Sequence, residues 1–176
     1  MRTLSKLLFS ATIVALCASP LFVFGAQAGM ERGMIPQHMK TDDGVIRVKS
    51  AYGLDETVTR LKADIAAKGI KFFDQIDQSQ LGADAGIKLD PSTLLIFGNP
   101  PLGIQFLTAN PYAGLDWPVR MLVLQDKDGQ VWIAYTDFTY IAHRHHITDR
   151  DTQFAMATQV AASIASAAQA QIQQAR

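Results

Sequence analysis

Two apolar runs of strand length, VRMLVLQ (119–125) and VWIAYTD (131–137), are separated by little more than Asp126, Lys127, Asp128 and Gly129. A connection that short, rich in turn-forming residues and ending in glycine, joins its neighbours as an antiparallel hairpin. The fold must therefore contain an antiparallel sheet, and the remaining segments have to supply its other strands and its cover.

GVIRVKSAY (44–52) and IKFFDQIDQ (70–78) read as two further strands. TLLIFG (93–98) is a continuous apolar run, as expected for a strand covered on both faces or at the sheet centre, and Asn99-Pro100-Pro101 stops it. Between the first two strands, Leu54, Val58, Leu61 and Ile65 recur at helical spacing, with Asp55 as candidate N-cap and Gly69 just past the last turn. Pro100 or Pro101 is suited to open a short helix through Ile104 and Leu107, ended near Asn110-Pro111. QLGADAGIKLDPS (80–92) reads as a turn-rich connection. From Thr148 onward, Phe154, Ala157, Val160, Ala161, Ile164, Ala168 and Ile172 trace the apolar stripe of a closing helix, with Thr148 or Asp149 as its cap. The order is strand, helix, four strands with a short inserted helix, then helix. It predicts an α+β fold, an antiparallel sheet with both long helices packed on one face.

Residues 1–28 stand apart. Arg2 and Lys6 form a basic start, Leu7 to Leu16 is apolar, and Ala26-Gln27-Ala28 offers a small-residue cleavage site, the pattern of a secretory signal peptide cut before Gly29. An uncleaved anchor is the rival, since a span needs about 20 apolar residues; Pro20 and the Ala-Gln-Ala site favour cleavage and no stable membrane anchor afterwards. Cys17 leaves with this segment, so the mature chain holds no disulfide and rests on core packing alone. A periplasmic or secreted location is expected. Cleavage also removes Arg2 and Lys6 and no acid, leaving 14 Lys+Arg against 16 Asp+Glu. That balance argues against a nucleic-acid partner, which needs a basic face. Residues 29–43 read as a flexible leader in which Met30, Met34, His38 and Met39 crowd together, a soft ligand set of the kind copper(I) takes, or simply a methionine-rich linker. The domain proper is then 44–176.

The run YIAHRHHITDRD (140–151) collects three of the four histidines. In an up-and-down sheet the end of TLLIFG, the start of VRMLVLQ and the end of VWIAYTD share one rim, which gathers Gly98, Asn99, Asp116, Trp117, Asp137 and this run, with Gln78 at the opposite rim. Gly98 allows close backbone approach, and the amides opening the Pro100 helix suit an anionic group. If 138–146 is helical, Tyr140 shares a face with Arg144, and His143 with His146; if extended, His143 pairs with His145. Three readings follow. In the first, Arg144 pairs with an anionic ligand group while Tyr140, His145 and Asn99 add hydrogen bonds, with Gly98 and Asp137 beside them. In the second, two of His143, His145 and His146 join Asp137, Asp149 or Asp151 around zinc or copper. In the third, the run is structural: Arg144 bridges to Asp137 and the histidines are solvated. Catalysis has little support. Ser50, Ser79 and Ser92 lie in no nucleophile elbow, and no phosphate loop, dinucleotide fingerprint or haem motif appears, which leaves any cofactor unidentified; an acid/base role for His145 stays open, since an imidazole suits it.

TLLIFGNP, GLDWPVRMLVLQDKDGQVWIAYTD and YIAHRH resemble the signature blocks of the bacterial and archaeal family called domain of unknown function 302. The resemblance runs from about Val45 to Ile164. It implies a strand-helix-four-strand-helix sheet like that of the TATA-binding protein, and a homodimer. It implies no activity. Where family members usually show Ile-Asp-His, this chain has Ile76-Asp77-Gln78, so a role resting on that histidine is not expected here. The sequence thus predicts an exported α+β protein binding a small polar or anionic ligand at one rim; a periplasmic metal-binding protein and a ligand-free interaction module are the alternatives.

Overall fold

The antiparallel sheet demanded by the hairpin has six strands in the computed structural model, which describes residues 38–40 and 42–169. Along the chain lie β1 (His38–Lys40), β2 (Val45–Lys49), α1 (Leu54–Ala67), β3 (Lys71–Asp77), α2 (Gln78–Asp84), β4 (Ser92–Gly98) and α3 (Pro100–Ala109). A 3-10 turn (Pro111–Leu115), β5 (Val119–Gln125), β6 (Val131–Thr136), α4 (Phe138–Arg144) and α5 (Asp151–Ser166) complete it. The spatial order is β1-β2-β6-β5-β4-β3 and every neighbouring pair is antiparallel. The predicted strand-helix-four-strand-helix order holds, with one short strand added at an edge.

Side chains alternate along strands, so one sheet face buries Val48, Leu95, Phe97, Met121, Val123, Ile133 and Tyr135. These join Leu61 and Ile65 of α1 and Phe154, Ala161 and Ile164 of α5 in a single core. Phe106 of α3 stacks on Phe154 with ring centroids 4.3 Å apart, tying the inserted helix to the closing one. The opposite face, with Leu94, Ile96, Leu122, Leu124, Trp132 and Ala134, is half-buried. TLLIFG is accordingly an inner strand sealed on one face only.

The ends of the elements correct several local expectations. Gly53, not Asp55, occupies the N-cap of α1; Asp55 sits in the first turn, where a carboxylate favours the positive end of the helix dipole. Gly69, at φ 64°, ends that helix as predicted. Neither Thr148 nor Asp149 caps α5: Arg150 holds the cap position without a side-chain bond, and its guanidinium pairs with Asp149 at 2.6 Å. The turn-rich stretch after β3 contains α2, seeded by Asp77, whose Oδ1 accepts from the Gln80 amide at 2.9 Å and the Ser79 hydroxyl at 2.7 Å. Those bonds, the Gln80 amide foremost, hold the Asp77 carboxyl below its ordinary range. The last part of the expected leader is also ordered, since His38–Lys40 pairs with the free edge of β2, His38 opposite Val48. The signal segment, residues 29–37 and the side chains of His38 and Met39 lie outside the described residues, as does Ile172. Among the described residues no helix is long and apolar enough to cross a membrane.

Strand register sets the rim. Lys71 faces Gly98, Phe97 faces Val119, Met121 faces Tyr135 and Val45 faces Thr136. The end of β4, the start of β5 and the end of β6 therefore come together as expected. Gln78 lies at the other rim, where its Oε1 accepts from the Ser92 hydroxyl at 2.8 Å.

Candidate functional site

The 3-10 turn delivers Asp116 to the rim, and there its carboxylate, 8% exposed, is the hub of a charged cluster. His145 Nε2 lies 2.6 Å from Oδ2. An ionised carboxylate can only accept, so Nε2 carries the proton in this bond. Two guanidinium groups reach the other oxygen: Arg120 Nη2 at 3.3 Å and Arg144 Nη1 at 3.4 Å. Arg120 also donates to the Leu115 carbonyl at 2.8 Å. Three elements are locked together here, because the His145 carbonyl in turn accepts from Asn110 Nδ2 at 2.9 Å. His145 is 7% exposed, whereas the side chains of Arg120 and Arg144 are 51% and 49% exposed. Two guanidiniums against one carboxylate leave positive charge in excess, with N–H donors facing solvent. The recess beside them, lined by Asp116, Arg120 and Thr136, holds about 10 Å³, roughly one water. An anion would rest on this cluster, not inside it.

The histidine-rich run begins in helix, α4, which ends at Arg144 with His145 as its C-cap. Asp137, 3% exposed, is the N-cap of α4, its Oδ1 accepting from the Thr139 amide at 3.0 Å, and its own amide donates to the Gly44 carbonyl at 2.8 Å. Burial first, and then the Asp137 charge, push the Tyr135 phenol up to about 12, so it stays neutral at physiological pH. Tyr140 lays its ring on Gly44, where an added Cβ would stand 2.3 Å from the ring. The Arg144 to Asp137 bridge of the structural reading is replaced by Arg144 to Asp116.

The three histidines do not converge: His145 is buried on Asp116, while His143 and His146 are exposed with ring centroids 6.5 Å apart. Among the described residues no group of three or more His, Cys, Asp or Glu is placed to hold a metal ion. His146 has a backbone reason to be where it is. It ends α4 at φ 53°, with its amide on the His143 carbonyl at 3.1 Å and the Ile147 amide on Ala142 at 3.0 Å. Glycine is better suited to that left-handed position. Replacing His146 by Gly is expected to raise stability by about 1 kcal/mol in urea denaturation, the usual cost of the left-handed backbone for a residue with a Cβ.

Gly98 and Asn99 belong to a different place. Asn99 caps α3, with Oδ1 accepting from the Leu102 amide at 3.4 Å, and Gly98 lies under the indole of Trp117. Asn99 and Asn110 stand at opposite ends of α3, on the order of 15 Å apart at 1.5 Å per residue, and it is Asn110 that touches His145. The structure thus brings Arg144 and His145 together around Asp116, sets Asp137 and Tyr140 on the start of α4, and places Gly98 and Asn99 with Trp117. Arg120 was not foreseen. Its one sequence signal is its position four residues after Asp116, at the start of a rim strand.

The fold and this rim define a small α+β domain whose relatives can be traced. The family model "Domain of unknown function DUF302" matches residues 46–171, and the chain belongs to that family. An uncharacterized conserved DUF302 protein from Bacillus stearothermophilus has a similar crystal structure, with TM-score 0.66 and 19% identity over 72% of this chain and 98% of that one. The chain is also 34% identical over 106 residues to proteins named fluoride-specific ion channel FluC 1 from Brucella suis and Brucella abortus. That stretch is 60% of this chain and 42% and 39% of those relatives, so the chain spans about two fifths of their length.

Proposed function

We propose that the rim cluster binds a small anion, held by Arg120 and Arg144 above the Asp116–His145 pair. One observation carries the reading: two half-exposed guanidiniums from different elements converge on one buried carboxylate oxygen, at 3.3 and 3.4 Å, which gathers more positive than negative charge at one solvent-facing point. The Brucella relatives are named for a small anion, so fluoride is tested beside phosphate and simple carboxylates. We further propose that the protein works outside the cytoplasm, supported by the signal-like start and the absence of cysteine after Cys17. A homodimer through the half-buried sheet face of Ile96, Leu122 and Trp132 accompanies this reading.

The test is a thermal-shift titration with fluoride, chloride, phosphate and acetate at constant ionic strength. A ligand held only by the native state stabilises it by about 1.4 kcal/mol at ten times its Kd. At least one anion is expected to raise Tm saturably in the wild type, less in Arg144→Lys, and not in Arg144→Ala or Arg120→Ala. A wild type indifferent to all four, or a response that survives both alanine variants, refutes the site.

A further inference from the structure

We propose that the uncharged face formed by α3 and the 3-10 turn docks on the surface of a bilayer containing anionic phospholipid, with Arg120 and Arg144 on the headgroup phosphates. Not one of residues 91–115 is charged, yet Ile104, Gln105, Thr108, Tyr112 and Leu115 all stand exposed to water. Tyr112 and Leu115 are the most open, at 75% and 65% exposure. The apolar members are neighbours. Ile104 and Leu107 share a side of α3 at a spacing of three, and the Leu107 side chain lies 4.0 Å from where a Cβ on Gly114 would stand, next to Leu115. Single apolar residues on a surface are ordinary, but a contiguous group marks an interaction site.

The adjoining charge says what this group meets. The Leu115 carbonyl accepts from Arg120 Nη2 at 2.8 Å, so a guanidinium is held against the turn. Arg144 reaches toward it from α4, on the same oxygen of Asp116 at 3.4 Å. The start of the turn is tied to α4 as well, Asn110 Nδ2 donating to the His145 carbonyl at 2.9 Å. Asp116, the carboxylate of this cluster, is buried, so the surface presents its cations. Apolar side chains beside half-exposed guanidiniums complement a surface that sets phosphate over hydrocarbon. Tyrosine suits that boundary, with an apolar ring and a hydroxyl that stays wet. Such contact is peripheral and reversible, because a few side chains bury far less than a spanning helix. Its polar half rests on the anion reading, with a lipid phosphate as the anion; its apolar half is independent of it.

Sedimentation with vesicles of phosphatidylcholine, alone or mixed equally with phosphatidylglycerol, tests the docking. The chain from Gly29 is used, which keeps every described element and omits an apolar start that would bind lipid by itself. An arginine near an anionic surface gains about fivefold in partitioning, so wild type should prefer the mixed vesicles at least tenfold, less so as salt is raised. Tyr112→Ser/Leu115→Ser keeps the backbone carbonyl that Arg120 uses. It should bind the mixed vesicles at least tenfold more weakly, with its thermal response to free anions unchanged. Arg144→Ala should lose about fivefold on vesicles and the free-anion response with it. If circular dichroism shows the serine variant unfolded, Ile104→Ser makes the same comparison. No preference of wild type for the mixed vesicles, or undiminished binding by a folded serine variant, overturns the docking. A free-anion response without vesicle binding overturns the docking alone, and serine-sensitive vesicle binding without a free-anion response overturns the anion reading alone. Self-association that needs Tyr112 and Leu115, without vesicle binding, assigns the face to a second copy instead.

Discussion

Replacing Gly103 by alanine is expected to destabilise the protein by about 2 kcal/mol, although in an exposed helix the same change stabilises. Alanine is favoured over glycine in a helix interior by about 1 kcal/mol. Here its Cβ would stand 1.9 Å from Trp117 Nε1, 2.1 Å from Cε2 and 2.7 Å from Cδ1. Swinging the rigid indole aside breaks its edge-on contact with Phe73, centroids 6.1 Å apart at 80°. Overpacking of this kind costs typically 1–3 kcal/mol and occasionally more, so the clash outweighs the helical preference. At roughly 4 °C per kcal/mol for a domain of this size, Tm should fall by about 8 °C. The decisive measurement is a double-mutant cycle. In a Trp117→Ala background the obstacle is gone, and Gly103→Ala should turn stabilising by up to about 1 kcal/mol. A change of the same sign in both backgrounds would show that the indole is not what the glycine accommodates.

That glycine shows what was legible in the sequence and what was not. The strands and long helices were readable because their signals are local: the Asp126–Gly129 turn, and the spacing of Val58, Leu61 and Ile65. Antiparallel pairing then brought Gly98, Asp116 and Asp137 to one rim without further information. The elements that were missed draw on partners far along the chain or on single caps. β1 exists because β2 has a free edge, and α2 hangs on the Asp77 cap around a Gly82 that gives no helical period. Within the site, Arg144 and His145 were singled out by composition, but their partner Asp116 lies 28 and 29 residues earlier. Nothing local distinguishes it from other aspartates. Asn99 was joined to them by topology alone, and the length of α3 keeps it apart. The His146 backbone, at φ 53°, explains a histidine that composition alone had offered as a metal ligand.

Substituting Asp116 separates the part of the cluster that holds the fold from the part that is free to bind. Asp116→Ala is expected to cost about 2–3 kcal/mol in urea denaturation. The dominant contribution comes from His145, buried to 7% exposure, whose Nε2 loses its 2.6 Å acceptor; a buried polar group left unsatisfied costs about 1–3 kcal/mol. Removing one member of a fully buried pair can reach about 3–5 kcal/mol, but the two guanidiniums here are half in water and recover hydration, so the upper end does not apply. Asp116→Asn keeps the shape and one acceptor oxygen while aiming N–H donors toward the arginines, and should fall between wild type and alanine. The double mutant Asp116→Ala/His145→Ala should be more stable than the sum of the single losses implies, by about 1–2 kcal/mol, since the two groups act as a pair. Arg144→Ala, by contrast, removes a half-exposed charge at 3.4 Å and is expected to cost about 0.5 kcal/mol or less. The division matters for function. If stability rests on Asp116–His145 and hardly on Arg144, the guanidinium is a donor the fold does not need, and losing it should abolish anion binding in a protein as stable as the original. A large stability loss in Arg144→Ala, approaching that of Asp116→Ala, would instead assign the arginine to the scaffold and remove the ground for ligand binding at this rim.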